Sequence, residues 1–305
     1  VALVLVVIIE MKNLHLEHPE DTIFTGDLSI LNWLSADSKI SIKMDGSPAI
    51  VWGTNPATGK FFVGTKSVFN KVKIKINHSH EEIDANHEGK VADVLHVAFD
   101  CLPRISGIIQ GDFLGFGGSD TYSPNTITYK FPQIITQDIL VAPHTCYDAE
   151  YDLRDAVAHT LDQQLKTTES VKWIQPKAYL KPHREDIEDV CKFAKQMAMT
   201  CTFVSVKESN EIKKQINHHI RNQEEIVEEN FSCDSNLIRL WKLIESIKLD
   251  LMECFILCDD SVQCMIGNES VSHEGYVMTN DCGMHKLVNR RIFSYYNFVL
   301  PKNWS

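Results

Sequence analysis

Up to about residue 145, short runs in which apolar and polar positions alternate predict a series of strands. Lys39 to Ile42, Ala49 to Trp52, Phe61 to Gly64, Val72 to Ile76, Ile108 to Phe113 and Thr126 to Phe131 are rich in β-branched and aromatic residues and are punctuated by Gly, Pro and Asn. Between them, Glu81 to Leu102 has helical spacing, with Ile83, Val91, Val94, Leu95, Ala98 and Leu102 on one face. From about Asp148 to Asp259 the apolar period becomes that of a helix, in Asp152 to Leu165, Arg184 to Met199, Ser209 to Glu229 and Asn236 to Leu257. Strand patterns return at Gln263 to Ile266, Gly275 to Thr279 and Lys286 to Val288. The expected fold class is therefore α+β, a sheet domain over 11–305 interrupted by a mainly helical insertion at about 148–260.

Composition narrows the class. The 305 residues are 44% hydrophobic and 23% charged, the balance of a soluble globular chain. Val1 to Ile9 are all apolar but too few to span a bilayer, which takes about 20 residues. This 1–10 segment is either a buried first strand or sequence preceding a start at Met11; no membrane partner and a cytoplasmic location are expected. The nine cysteines have no regular spacing, so reduced thiols are expected in place of a disulfide framework.

The net charge of −11 disfavours nucleic acid as a partner, but its distribution does not. Lys60, Lys66, Lys71, Lys73 and Lys75 lie in an acid-free stretch, as do Lys286, Arg290, Arg291 and Lys302. If Lys71 to Ile76 is a strand, its three lysines share one face at a spacing of about 6.5–7 Å, suited either to a phosphate backbone or to protecting a sheet edge.

The chemistry centres on Ile40-Ser41-Ile42-Lys43-Met44-Asp45-Gly46-Ser47-Pro48, a strand and turn expected to form a hairpin that projects the Lys43 amine from a sheet rim. A nucleophilic lysine must be neutral, which nearby cations such as Lys66 or Lys286, or desolvation, can bring about. A surface lysine in an Asp-Gly turn is the ordinary alternative. Asp112, ending the strand Ile108 to Gly111, can meet a ribose hydroxyl. Glu274 before Gly275-Tyr276-Val277 suits oxygen ligation of a divalent metal. Lys286 can neutralise a phosphate.

The ordered set Lys-x-Asp-Gly, Gly-acid-aromatic, Glu-Gly-x-Val and a terminal lysine strand resembles the covalent nucleotidyltransferases: ATP-dependent DNA and RNA ligases and mRNA-capping enzymes. Leu16-Glu17-His18-Pro19-Glu20-Asp21, Phe24-Thr25-Gly26-Asp27, Lys43 to Val51, Phe61 to Lys71, Gln110 to Leu114 and Lys286 to Arg290 with Phe293-Ser294 are similar to a ligase-like branch in tailed phages. The resemblance implies an ATP-grasp-like ligase adenylation domain in which Lys43 accepts AMP, with Asp45 beside it and ATP and Mg²⁺ or Mn²⁺ as cofactors. It further implies that Gly46, Lys66, Asp112 and Lys286 contact the nucleotide, that Tyr129 or Phe131 stacks on the base, and that Glu274 binds the metal. Lys43 is then expected in a cleft on which Lys66, Asp112, Glu274 and Lys286 converge.

Two departures from that family stand out. Asp112 replaces the usual Glu, and Met284 and Val288 flank Lys286 where a second lysine is usual. With no C-terminal OB domain expected, Arg290 and Arg291 are candidates for its role, and Lys71, Lys73, Lys75 and Arg290 for nucleic-acid contacts. Because Pro48 stands two after Gly46, where nick-sealing DNA ligases usually carry a base, RNA end joining is favoured over nicked DNA. A degenerate, non-catalytic nucleic-acid-binding protein is the alternative from another class.

Overall fold

The computed structural model describes residues 16–180, 185–258 and 262–296; the apolar segment 1–10 and Lys302 lie outside them. In chain order the elements begin with α1 (Ser29–Ser35), β1 (Lys39–Lys43), β2 (Ala49–Thr54), β3 (Phe61–Gly64), α2 (His80–Asn86), α3 (Gly89–Cys101), β4 (Ile108–Phe116), β5 (Thr121–Tyr122) and β6 (Thr128–Lys130). They continue with β7 (Ile139–Asp148), β8 (Val157–Thr160), β9 (Val171–Trp173), β10 (Lys177–Leu180), α4 (Glu185–Ala198), α5 (Val206–Arg221) and α6 (Ser235–Glu253). The last are β11 (Phe255–Leu257), β12 (Gln263–Ile266), β13 (Glu269–Val271), β14 (Gly275–Asn280) and β15 (Gly283–Val288). The α+β class is observed. No helix among the described residues is long and apolar enough to cross a membrane.

The chain divides into two compact units. The first comprises Asp45–Pro124 and Thr128–Gln175. Its sheet runs β3-β2-β4-β7-β8, antiparallel throughout, with β9 parallel to β7. Alternation along the strands builds a core on each face. Ile50, Trp52, Val63, Ile109, Phe113 and Val141 meet Val94, Leu95 and Ala98 of α3, while Val51, Phe62, Ile108 and Tyr147 meet Val68, Phe69, Leu153 and Ala156.

The second unit comprises Leu16–Met44, Asn125–Ile127 and Pro176 onward. Its sheet order is β11-β10-β1-β14-β15, all antiparallel. Ile40 and Ile42 of β1, Tyr276 and Met278 of β14 and Leu287 of β15 turn to a core shared with α1, α4, α5 and α6. Helix α6 supplies Leu237, Ile238, Leu240, Trp241, Ile244, Ile247 and Leu251, all buried. Each such burial is worth roughly 1.5–3 kcal/mol, which fixes the sheet face that turns to the helices. Helix α5 starts at a capping box in which Ser205 accepts from the Glu208 N–H and the Glu208 carboxylate accepts from the Ser205 N–H. The helices thus share one core with β1, β10, β14 and β15 instead of forming a body of their own.

Four sequence expectations are corrected. Lys43 and Ala49 do not flank a hairpin, because β1 and β2 belong to different sheets. The Ser47 N–H donates to the Phe113 carbonyl and the Phe113 N–H to the Pro48 carbonyl, so the turn is held by β4. Val72 to Ile76 is not a strand: Lys73 has φ +58°, a left-handed conformation that breaks the pleat. Lys71, Lys73 and Lys75 therefore do not share a strand face. Asp152 to Leu165 is not a helix, since Asp152 caps a single turn and Val157–Thr160 then pairs with β7 as β8. Glu81 to Leu102 is two helices, broken before Gly89, whose φ of +58° suits glycine.

Candidate functional site

In the second unit, β1 and β14 are paired with Lys43 opposite Gly275, and β14 and β15 with Val277 opposite Lys286. Since Ile42 and Leu287 turn to the helical core, the period of two places Lys43 and Lys286 on the other face of the sheet. Glu274 immediately precedes β14, and its carboxylate forms an ion pair with the Lys43 amine. The Lys43 side chain is 26% exposed and that of Glu274 9%, so the pair is sheltered but reachable. Gly275 lets β14 lie close against β15: a Cβ there would lie 2.1 Å from the Leu287 carbonyl oxygen, and its φ of +159° adds to the demand.

Burial lowers the basicity of Lys286 first, and the neighbouring positive charge of Lys43 lowers it further. His18 is pushed well below the usual imidazole range, chiefly by burial and then by Arg290, Lys286, Lys248 and Lys43. Its Nδ1 is buried without a hydrogen-bond partner. A neutral imidazole with an idle nitrogen among cations is an environment in which an anion is stabilised.

Below this lies a network absent from the sequence reading. Lys248, fully buried, donates to Glu20 at 2.6 Å, and Arg290 donates to Asp21 at 2.9 Å and to Asn217 at 2.7 Å. The Trp241 indole N–H also donates to Asp21, at 2.9 Å. Burial pushes the Glu20 carboxyl up, but Lys248 and Arg290 outweigh it and hold it below its ordinary value. Asp21 is driven the other way, with burial prevailing over Arg290. Arg290 is only 2% exposed, so its expected role in contacting nucleic acid is corrected: it is committed to Asp21 and Glu20. One signal for this was legible, since Lys248 falls between Ile244 and Leu251 on the apolar stripe of α6.

In the first unit, Gly46 lies against β4. A Cβ on it would come within 2.5 Å of the Phe113 carbonyl oxygen and 2.9 Å of the Asp112 Cβ, so the backbone approach requires glycine. Asp112 stands 3.8 Å from the His144 Nε2. Tyr129 is fully buried, and its hydroxyl accepts from the Asp45 N–H at 2.7 Å. As it stands its ring offers no face to a base, so base stacking gives way to positioning Asp45; Phe131 is buried too. Lys66 begins a single 3₁₀ turn capped by Thr65, half-buried. Lys71 and Lys73 are exposed, whereas Lys75 donates to the Asn86 carbonyl.

The sequence-derived residues thus gather in two groups, Lys43 with Glu274 and Lys286 in one unit, and Asp45, Gly46, Asp112 and Tyr129 in the other. A family described as of unknown function, DUF6267, matches residues 13–233 and 182–302. No curated protein and no solved structure matches the chain.

Proposed function

We propose, from the premise that the chain belongs to DUF6267 and that its chemistry has to be read from its own residues, that it is an ATP-dependent nucleotidyltransferase of the polynucleotide-ligase kind. The single observation that carries this is Lys43, paired with Glu274 and neighboured by Lys286, on the sheet face opposite the helical core. An amine nucleophile, a carboxylate to take its proton and a second cation are what attack on a phosphate ester asks of a protein.

In this reading the Lys43 proton passes to Glu274 and the neutral Nζ attacks the α-phosphorus of ATP. An N–P bond forms, and the P–O bond to pyrophosphate breaks. Lys286 and the unpartnered His18 nitrogen face the phosphate charge. AMP is then transferred to a nucleic-acid 5′-phosphate, and a 3′-hydroxyl displaces it to form the phosphodiester. Mg²⁺ or Mn²⁺ would neutralise phosphate charge in these steps. Glu274, once it has released the Lys43 proton to water, suits it as a protein ligand, because Mg²⁺ commonly takes one or two carboxylates and completes its shell with phosphate oxygens and water. The fold assignment that accompanies this reading is a ligase adenylation domain, with RNA ends preferred over nicked DNA because Pro48 stands where a basic residue is usual.

A second reading has one observation in its favour. The Glu274 carboxylate favours the charged form of the amine, as a non-catalytic anion-binding site would have it. The two readings separate on incubating the AMP-free chain with ATP labelled at the α-phosphorus and a divalent metal. Label on the wild type that survives alkali, is released by acid as expected of an N–P bond, and is absent in Lys43→Ala supports the enzyme. No label on either protein overturns it.

A further inference from the structure

In the first unit, α2 and α3 carry the same short pattern, His80-x-x-x-Asp84 and His96-x-x-x-Asp100. The two patterns engage reciprocally. His80 Nε2 lies 3.0 Å from the Asp100 carboxylate, and His96 Nε2 lies 2.8 Å from that of Asp84. The ring centroids lie 5.0 Å apart with 18° between the planes and the Nδ1 atoms 2.7 Å apart, so the two rings point at each other head-on.

The carboxylates settle the tautomers. An ionised carboxylate only accepts, so each Nε2 must carry the hydrogen, which leaves a lone pair on each Nδ1 of a neutral imidazole. Two lone pairs facing each other at 2.7 Å repel unless a cation lies between them. That cation is either a shared proton or a metal ion. A carboxylate behind each ring, on the nitrogen remote from the point of convergence, is the arrangement that orients histidines toward a metal and raises their donor strength.

We propose that His80 and His96 bind a divalent transition-metal ion through their Nδ1 atoms, zinc by ligand preference, with Asp100 and Asp84 fixing the rings. Tetrahedral zinc with N ligands at about 2.0–2.1 Å separates two nitrogens by about 3.3 Å, so the Nδ1 atoms must part by about 0.6 Å and the head-on rings must each swing by about 35° to aim both lone pairs at the ion. The His80 and His96 side chains are 43% and 27% exposed, so the ion exchanges with solvent, and water or an outside ligand completes its coordination. The site joins the first turn of α2 to the middle of α3, and it does not depend on the Lys43 chemistry.

The test titrates zinc chloride into the metal-free full-length chain as wild type, His80→Gln, His96→Gln and the double variant. The nine cysteines supply any thiol-bound zinc equally to all four proteins, so it subtracts. The expected result is one zinc equivalent bound by wild type and lost in the double variant, with each single variant weakened at least 100-fold. Asp84→Asn, which leaves both ligands in place, is expected to weaken binding 10- to 100-fold. Equal zinc uptake by all four proteins, with helicity unchanged, overturns the proposal and leaves the proton as the shared cation.

Discussion

Lys43 and Glu274, 231 positions apart, meet as an ion pair because β1 and β14 are antiparallel neighbours with Lys43 set opposite Gly275. In the proposed reaction the carboxylate would act in two opposing ways, attracting the amine's positive charge and taking its proton. Glu274→Gln should separate the two. Acylation of Lys43 by a small amine-reactive reagent, followed by peptide mass spectrometry, is expected to rise several-fold at pH 8, while transfer of label from ATP falls at least tenfold. A parallel rise in both would show that Glu274 only restrains the amine.

Lys248 and Glu20 are both fully buried, so the loss of one leaves the other stranded. Lys248→Met is expected to cost about 3–5 kcal/mol, read from the urea midpoint of the tryptophan fluorescence change. Adding Glu20→Gln to the same chain should restore much of the loss, because the double variant strands no charge. A double variant no more stable than Lys248→Met would mean that Arg290 already neutralises Glu20.

The buried histidines give the second unit a dependence on acid. Burial holds His18, His273 and His285 below the ordinary imidazole value. For a depressed pKa the unfolded chain binds protons first. The stability these groups contribute is therefore complete above about pH 6.5 and is lost as pH falls from there through the folded values. Asp21 and Glu245, raised chiefly by burial, act in the opposite sense above the ordinary carboxylate range. The urea midpoint should drop between pH 7 and pH 5, and His285→Gln should flatten that drop. An unchanged profile in His285→Gln would assign the acid sensitivity elsewhere.

Gly46 fits only because it lacks a side chain. Gly46→Ala sets a methyl 2.5 Å from the Phe113 carbonyl oxygen, a clash with backbone that costs about 1–3 kcal/mol. Labelling by ATP should fall more steeply than stability, as compared by labelling rate and thermal midpoint on the same preparation.

Lys71 and Lys73 are exposed beside Val72, which is 77% exposed. If this segment meets a single-stranded backbone, Lys71→Glu with Lys73→Glu should weaken oligonucleotide binding and reduce the salt slope by about 0.7 per lost phosphate contact. Lys75→Glu should act less through charge on nucleic acid than through its lost bond to Asn86. Fluorescence anisotropy at several salt concentrations reads both.

What was legible in the sequence follows from the range of each interaction. The alternation in Lys39 to Ile42 and the apolar stripes of α4, α5 and α6 are local, and they reappear as a strand and three helices. Strand β8 was misread because the β7 ladder overrode helical spacing in a segment where both patterns fit. The bend at Lys73 carries no Gly or Asn to announce its positive φ. Lys43 and Glu274 were recognisable by motif order, but their pairing depends on strand register. The roles of Lys248 and Arg290 depended on partners more than 200 positions away, which no window along the chain contains.

The register that joins β1 to β14 also sets a clock on synthesis. At about 5–20 residues/s, the 231 residues between Lys43 and Glu274 take roughly 12–46 s to emerge. During that interval β1 has been made and β14 has not, so the edge of β1 that will face β14, and the Lys43 amine, stand open to whatever the nascent chain encounters. One edge of β1 therefore stays without its neighbour for most of a translation cycle, and the Lys43 amine meets its carboxylate partner only near the end of it.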